Sequence, residues 1–258
     1  MNILDKILKN RKITLSSFLK NYRIPEKIDK KKISLIQRIK NCKTNPIISE
    51  IKFSSPSKGS ISTLRNVEDL ARKMELGGVV GISVLTEPNF FNGSFEILKR
   101  ARKSVSLPIL LKDFIFDKKQ IYYGMELGAN VVLLISKMLS KEDLQELYNL
   151  ATSLELEVLV ELHDIEDLNR IQGIKPRIIG INNRNLETLK VNLKTTIDLI
   201  PLIQDRFPNS IIISESGIYT NQDIKNLLKA GADAFLIGSS IMEAPNIELK
   251  LKELVGLN

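Results

Sequence analysis

Short apolar runs rich in Ile, Val and Leu alternate along this chain with longer stretches that have helical periodicity. From residue 45 onward there are eight such runs, and they recur about every 27 residues, a plausible length for a βα unit. The runs do not alternate strictly between apolar and polar residues, which is typical of parallel strands covered on both faces. They begin at Ile47, Val80, Pro108, Val131, Glu157, Arg177, Ile211 and Ala234.

Signals for helix ends separate these apolar runs. Ser140 and Thr220 each precede a helical stretch and are followed three residues later by an acidic residue, the pattern of a capping box. Glycines stand where helices should end, at Gly77, Gly128, Gly173 and Gly231. Eight βα units without a long linker predict an α/β fold, a closed (β/α)8 TIM barrel. A doubly wound open sheet is the alternative, but no G-x-G-x-x-G motif follows the first run.

The residues ahead of the first run carry most of the positive charge. Residues 1–43 hold 13 Lys+Arg and 3 Asp+Glu, whereas residues 44–258 hold 25 and 27. Such a basic arm can bind nucleic acid or an anionic membrane. However, two apolar stripes follow helical spacing and need a partner surface, so residues 1–44 are predicted to be a helical extension docked on one barrel domain of residues 1–258. The stripes are Leu15, Phe18, Leu19 and Tyr22, and Ile28, Leu35, Ile36 and Ile39.

Composition indicates which class of protein this chain belongs to. With 43% hydrophobic and 26% charged residues, the chain of 258 residues has the balance of a soluble globular protein. No apolar run reaches the length of a membrane span, and the first residues lack the pattern of a signal peptide. The single cysteine, Cys42, excludes an internal disulfide, is predicted to be inert or buried, and fits a reducing compartment. We therefore expect a cytoplasmic location and no bound metal.

Nearly every predicted strand ends in a polar residue that can transfer a proton or bind an anion. Taken singly, each is a typical solvated loop residue, but a barrel directs the carboxyl ends of all its strands at one cavity. Two lysines and three glutamates meeting there would shift one another's pKa values, as acid–base sites require. In chain order these residues are Glu50, Lys52, Lys112, Glu161, Asn182, Arg184, Glu215, Ser216, Gly217, Gly238, Ser239 and Ser240.

Several loops each allow two interpretations. The Ser-Gly and Gly-Ser-Ser segments after the seventh and eighth runs fit a phosphate site, but a tight turn explains the glycines equally well. The polar loop 54–59 is a mobile lid or a plain surface turn. Phe90 and Phe91 line a pocket for an aromatic ring or pack as satellite core. His163 is a base or, because no second His or Cys is near, a structural residue.

Seven segments carry a resemblance to a known family. They occur in one order and cover nearly the whole chain after residue 44: PIISEIKFSSPSKG, GISVLTEPNFFNGSF, PILLKDFIFD, VLVELHD, IIGINNRNLETL, IISESGI and FLIGSSIM. Together they resemble the indole-3-glycerol-phosphate synthase family of tryptophan biosynthesis, which also carries helices ahead of its barrel. One departure is Gly238-Ser239-Ser240, where many relatives carry an acidic residue.

The resemblance implies a lyase that converts 1-(2-carboxyphenylamino)-1-deoxyribulose 5-phosphate to indole-3-glycerol phosphate, CO₂ and water. It implies that Lys112 is the general acid that protonates the substrate ketone and that Glu161 assists later proton transfers. Glu50 and Lys52 are implied to pair at the mouth, with Lys52 toward the substrate carboxylate. The chemistry needs no electron sink beyond the substrate's own ring, so no cofactor is expected.

The remaining roles are implied by the same resemblance. Asn182 and Glu215 orient polar groups of the sugar chain, Arg184 lies near the anthranilate carboxylate, and Phe91 is counted with the substrate-binding residues. Small residues surround the phosphate, namely Ser55, Ser216, Gly217, Gly238 and Ser239. The expected partner is a phosphorylated small molecule, without nucleic acid or membrane, and the expected state is a monomer or weak homo-oligomer.

Other functions compete with this interpretation. Phosphoribosylanthranilate isomerase is another phosphate-binding barrel, but it uses a Cys and an Asp at strand ends, whereas here Cys42 precedes the first run and the sixth ends in Asn182. A Schiff-base aldolase would use Lys112 as nucleophile. Nucleic-acid binding by the basic N-terminal segment is the alternative from outside the enzymes.

Overall fold

Eight parallel strands close into a barrel in the computed structural model, which describes residues 3–28, 31–61 and 66–257. Each strand pairs with its neighbours in the chain, and the last pairs with the first. Every strand begins within one residue of a predicted run, which confirms the (β/α)8 barrel and excludes the open sheet. The strands are β1 Ile47–Ile51, β2 Gly81–Leu85, β3 Ile109–Lys112, β4 Val131–Ile135, β5 Glu157–Leu162, β6 Ile178–Asn182, β7 Ile211–Glu215 and β8 Ala234–Ile237.

Helices cover the outside of the barrel and begin and end largely where the sequence predicts. Thr220 and Asp223 form a complete capping box, Ser140 accepts the backbone N–H of Asp143, and Gly231 ends its helix with a φ of 105°. The helices are α1 Ile3–Asn21, α2 Leu35–Asn41, α3 Val67–Leu76, α4 Pro88–Phe91, α5 Phe95–Ser104, α6 Lys118–Glu126, α7 Lys141–Ser153, α8 Ile165–Arg170, α9 Lys194–Arg206, α10 Asn221–Ala230, α11 Ser239–Met242 and α12 Ile247–Val255.

The apolar residues inside the barrel determine where its ionisable groups point. Ile48, Leu110, Leu159 and Ile213 belong to one buried cluster. Side chains two residues apart on a strand share a face, so the residues two positions further along each strand also point into the barrel. Those residues are Glu50, Lys112, Glu161 and Glu215.

The first two helices close opposite ends of the barrel. Leu4 and Ile7 of α1 pack in the same cluster as Phe114, just after β3, at the end where the strands terminate. At the other end, the Glu157 carboxylate that opens β5 accepts the backbone N–H groups of Leu35 and Ile36, at the start of α2. The stripe residues that lie in these helices are buried or half-buried, whereas Tyr22 and Ile28 lie in the segment between them.

The basic character of this segment lies on its outer surface. Every lysine of residues 1–43 that the structure describes is exposed, whereas Arg11 is buried against Asp113. Within the described part of the chain, none of the helices combines the length and the apolar composition that a bilayer crossing requires.

Candidate functional site

A lysine held between two carboxylates lies at the centre of the barrel mouth. Lys112, the last residue of β3, places its Nζ 2.8 Å from Glu161 Oε2 and 2.9 Å from Glu215 Oε2. Gly180 on β6 leaves room for this arrangement, because a Cβ there would lie 2.1 Å from Glu215 Oε1. All three charged side chains are nearly buried. The barrel thus brings together groups that are 49 and 103 positions apart in the chain.

Burial and charge together separate the pKa values of these groups. Burial lowers the pKa of Lys112, but the carboxylates of Glu161, Glu215 and Glu50 outweigh it, so the pKa is raised and the ammonium persists at neutral pH. Burial raises the pKa of Glu161, yet Lys112 and His163 bring it below its usual range. Burial and the neighbouring Glu161 and Glu50 charges raise the pKa of Glu215 to about 7, against the opposing effect of Lys112. One carboxyl of the pair therefore stays ionised while the other titrates near neutrality.

A second ion pair stands beside this trio. Lys52 Nζ lies 2.5 Å from Glu50 Oε1, and both side chains are largely shielded from solvent. Gly238, at the end of β8, adjoins the pair, because a Cβ there would lie 2.6 Å from Glu50 Oε1 and 3.2 Å from Lys52 Nζ. The Lys52 ammonium is consequently next to the loop predicted to bind phosphate.

The end of β6 supplies an amide and a guanidinium. Asn182 Nδ2 donates to Glu161 Oε1 at 3.2 Å, and Asn182 Oδ1 accepts the backbone N–H of Arg184 at 3.0 Å. Arg184 Nη1 donates to the carbonyl oxygen of Leu189 at 2.9 Å, which fixes the guanidinium on its own loop. Asn182 therefore connects the carboxylate of Glu161 to the loop that carries Arg184.

The backbone at the end of β7 enters the left-handed region of φ at two successive residues. Ser216 and Gly217 have φ values of 68° and 81°, and a Cβ on Gly217 would meet Val191 Cγ1 at 2.1 Å. Buried Asn183, which the sequence analysis did not single out, donates to the carbonyl oxygens of Glu215 and Ser216 and fixes this turn. Ser216 and Gly217 both line the cavity, at a place where such barrels commonly bind phosphate.

The loop after β1 forms a short hairpin over the mouth. Ser54–Ser55 pairs with Gly59–Ser60, and the loop between them is fastened at Lys58. Lys58 Nζ donates to both carboxylate oxygens of Glu243, at 2.6 and 2.7 Å, and to Tyr219 Oη at 2.9 Å. Ser55 and its neighbours Pro56 and Ser57 line the cavity. The segment is therefore more than a surface turn, whereas its motion as a lid stays a prediction.

One cavity contains nearly all the residues singled out for the site, with Phe90 and His163 outside its lining. Its lining includes Glu50, Lys52, Ser55, Phe91, Lys112, Glu161, Asn182, Arg184, Glu215, Ser216, Gly217, Gly238 and Ser239. Ser240 also lines it, whereas Phe90 packs partly buried against the apolar cluster. The individual roles of these residues remain predictions, since proximity alone does not assign chemistry.

An apolar wall completes the cavity, and the sequence analysis missed most of it. Leu4 and Ile7 of α1 face Phe91, Phe114 and Ile135 across the mouth. The helical spacing of Leu4 and Ile7 was a usable signal. Nothing local indicated that α1 crosses the carboxyl ends of the strands rather than another face of the barrel.

His163 and Cys42 lie outside this lining. His163 is buried behind Glu161, with Nε2 3.2 Å from Glu161 Oε1 and Nδ1 3.2 Å from Asp167 Oδ2. Cys42 is half-buried near Thr44. In the residues that the structure describes, no three His, Cys, Asp or Glu side chains are grouped so as to hold a metal ion.

Comparison with known proteins connects this geometry to a family. A family model described as "Indole-3-glycerol phosphate synthase" matches residues 4–254. A protein of that name from Methanocaldococcus jannaschii is 46% identical over 99% of both chains. Another from Aliarcobacter butzleri is 43% identical over 96% of this chain and 92% of its own, and one from Campylobacter fetus is 41% identical over 98% and 99%.

A solved structure shares the fold at low identity. Thiamine phosphate pyrophosphorylase from Pyrococcus furiosus superposes with a TM-score of 0.59 at 15% identity, covering 84% of this chain and 95% of that one. This similarity supports the barrel architecture alone.

Proposed function

The chain belongs to the indole-3-glycerol phosphate synthase family, and from this membership we propose how its barrel mouth carries out the reaction. The enzyme is a carboxy-lyase of tryptophan biosynthesis. It converts 1-(2-carboxyphenylamino)-1-deoxyribulose 5-phosphate to indole-3-glycerol phosphate, CO₂ and water. The aryl carbon that bears the carboxylate attacks the ketone, CO₂ leaves from that carbon, and loss of a proton and a hydroxyl group as water completes the indole.

The observation that carries the proposed mechanism is the ammonium of Lys112 between Glu161 and Glu215. Ring closure turns the ketone oxygen into a hydroxyl, and a general acid must deliver the proton as the carbon–carbon bond forms. Lys112 is protonated at neutral pH and faces the cavity. We propose that it supplies this proton, and that Glu161 removes or returns protons in the later dehydration.

The Glu50–Lys52 pair serves the anionic groups of the substrate. Before substrate binds, the carboxylate of the pair balances the charge of the lysine. The lysine can then turn toward an anion that enters the cavity. Lys52 is proposed to attract the substrate carboxylate, as the resemblance implies, and its position beside Gly238 brings it close to the phosphate loop as well. Arg184 supplies a second positive charge for the carboxylate.

The remaining residues hold the substrate in position. Backbone and hydroxyl groups of Ser55, Ser216, Gly217, Gly238 and Ser239 are proposed to surround the phosphate. Asn182 and Glu215 would orient the polar groups of the sugar chain. The apolar wall, with Phe91 facing Leu4 and Ile7, packs against the aromatic ring.

The same proposal includes the location, the oligomeric state and the binding partners of the enzyme. We propose a cytoplasmic enzyme, monomeric or weakly associated, that binds a phosphorylated small molecule and neither nucleic acid nor membrane, and that works without cofactor or metal. Sedimentation at several protein concentrations tests the oligomeric state. Filter binding to DNA at low salt tests the basic segment, since nucleic-acid binding would fall steeply as salt rises.

The test of the function is a turnover assay with the purified full chain. Added 1-(2-carboxyphenylamino)-1-deoxyribulose 5-phosphate should give a rise in indole fluorescence and release one CO₂ per indole. Borohydride added during turnover should leave no covalent adduct on Lys112, whereas a Schiff-base aldolase would be trapped. No indole from protein with a native circular dichroism spectrum would contradict the proposal.

A further inference from the structure

A histidine connects the site to a neighbouring helix through two carboxylates. His163 follows β5, two residues after Glu161, and its side chain is 4% exposed. Its Nε2 lies 3.2 Å from Glu161 Oε1, and its Nδ1 lies 3.2 Å from Asp167 Oδ2. The backbone N–H of His163 donates to the same Asp167 oxygen at 2.9 Å. The imidazole is thus fixed on one side and contacts Glu161 on the other.

Asp167 is itself held in place. It lies in the first turn of α8, where its backbone N–H donates to Asp164 Oδ1 at 2.9 Å. Its carbonyl oxygen accepts the hydroxyl of Ser136 at 3.3 Å, and its side chain is 1% exposed. A rigid series of contacts therefore runs from α8 through His163 to Glu161.

The two oxygens of Glu161 have different partners. Oε2 contacts Lys112, whereas Oε1 accepts from Asn182 and faces His163. Without His163, Asn182 would be the remaining partner of Oε1, and the carboxylate could turn more easily because the torsion of a terminal carboxylate is soft. The His163 contact therefore helps to fix the orientation of the Glu161 carboxylate relative to Lys112.

We propose that His163 is a positioning residue: its imidazole, fixed by Asp167, holds Glu161 in the orientation in which Glu161 contacts Lys112. The inference rests on the roles proposed above for Lys112 and Glu161. His163 itself does not line the cavity, so it acts through Glu161 and not on the substrate. The contact also adds positive charge beside a carboxylate that must work as a base.

Because His163 can gain or lose a proton, its effect on Glu161 should depend on pH. Burial lowers the pKa of His163, but the hydrogen bond with Asp167 and the nearby charges of Glu161 and Asp167 raise it to about 9. The imidazolium in turn lowers the pKa of Glu161. Charged groups face the pair from every surrounding element: Lys112 of β3, Glu215 of β7, Glu50 and Lys52 of the β1 end, Asp164 and Asp167 of the α8 start, and Lys137 after β4.

The first experiment measures kcat and KM against pH for the full-length H163F and H163Q variants. H163F removes the donor and the charge, so kcat should fall about tenfold with KM nearly unchanged, and the acidic limb of the kcat profile should move up by about one pH unit. H163Q keeps an N–H donor without the charge, so it should recover much of kcat while the limb stays shifted. Glu166→Gln, an exposed neighbour on α8, is the matched control and should leave both quantities unchanged.

Nuclear magnetic resonance gives an independent readout that does not require turnover. His163 is the only histidine, so its ring signal needs no assignment. It should titrate well above the ordinary histidine range in the wild type, and D167N should lower that pKa. Wild-type kcat and pH profile in H163F, or an ordinary titration of His163, would overturn the proposal. Absence of turnover in the wild type would instead refute the proposed function, while the titration would still test the contact.

Discussion

At the scale of single residues, the environment of Lys112 gives two similar carboxylates different proton affinities. Glu161 has a second cationic neighbour in His163 and stays ionised, whereas Glu215 faces other carboxylates and has its pKa raised to about 7. Pairs of groups whose surroundings separate their pKa values are typical of acid–base catalysis. Lys112 is consequently protonated at rest, with one ionised carboxylate and one near half-protonation in contact with it.

Gly180 provides a test of this arrangement that does not alter a charged residue. In G180A the new Cβ would lie 2.1 Å from Glu215 Oε1, the tip of a flexible side chain that can turn aside. We expect kcat to fall about tenfold because Glu215 leaves Lys112, and the free energy of unfolding to fall by about 1–3 kcal/mol because a buried position is overpacked. Steady-state kinetics and urea unfolding measure the two effects.

A matched glycine substitution controls for the added methyl group. Gly173 lies in the short turn after α8, where a Cβ would meet Gln145 Oε1 at 3.0 Å. G173A should leave kcat unchanged. A G180A enzyme as active as the wild type would show that the Glu215 contact with Lys112 is dispensable.

His163 also connects stability to pH. Its pKa of about 9 in the folded protein lies above the ordinary value of 6.5. A raised pKa contributes stability that is complete below about pH 6.5 and is lost as the pH rises through about 9. The free energy of unfolding of the wild type should therefore exceed that of H163Q by on the order of 3 kcal/mol at about pH 6 and by much less at about pH 10. A difference that grows with pH, measured by urea unfolding, would contradict this.

Strand-end residues were the most predictable part of the site. The last residues of each apolar run mark the carboxyl end of a predicted strand, so Lys112 and Glu161 could be identified as candidate site residues from the local pattern alone. Their mutual contacts could not, because 49 and 103 positions separate Lys112 from its two partners and register depends on the whole barrel. The role of Asn183 could not be predicted either, because the sequence does not distinguish a buried asparagine that fixes a turn from any other asparagine in a loop.

At the scale of elements, the first helix is tied to the site by a buried ion pair. Arg11 Nε and Nη2 donate to the two carboxylate oxygens of Asp113, at 2.8 and 2.5 Å, and Asp113 directly follows Lys112. Thr86 and the backbone N–H of Phe114 donate to the same carboxylate. The apolar stripe predicted that a helix docks on the barrel, and the Arg11–Asp113 ion pair is one of the contacts that hold α1 over the mouth.

Replacing Arg11 alone should lower the free energy of unfolding more than replacing Arg11 and Asp113 together. R11M leaves Asp113 buried without its cation, and we expect a loss of about 3–5 kcal/mol in unfolding free energy together with a higher KM, because Leu4 and Ile7 lose their anchor. The double variant R11M/D113N should be more stable than R11M, since the uncompensated charge is gone. Chemical denaturation of the three proteins measures this, and a double variant less stable than R11M would contradict it.

In the molecule as a whole, the residues that stabilise the barrel are different from those proposed to carry out the reaction. Apolar residues fill its interior and its helix contacts, while Glu50, Lys112, Glu161 and Glu215 lie at the carboxyl ends of the strands on the inner face. The periodicity of the apolar runs made this architecture and all eight strands predictable. The described lysines of residues 1–43, which carry much of the surplus positive charge, are exposed and are not part of the cavity lining.

The central claim is that the Lys112 ammonium donates the proton that starts ring closure, and the most direct test is the turnover number of K112M. Loss of a general acid should lower kcat about 100-fold or more in protein whose circular dichroism matches the wild type. K99M, which changes an exposed lysine on α5, should retain wild-type kcat. Indole formation by correctly folded K112M at the wild-type rate would contradict the mechanism.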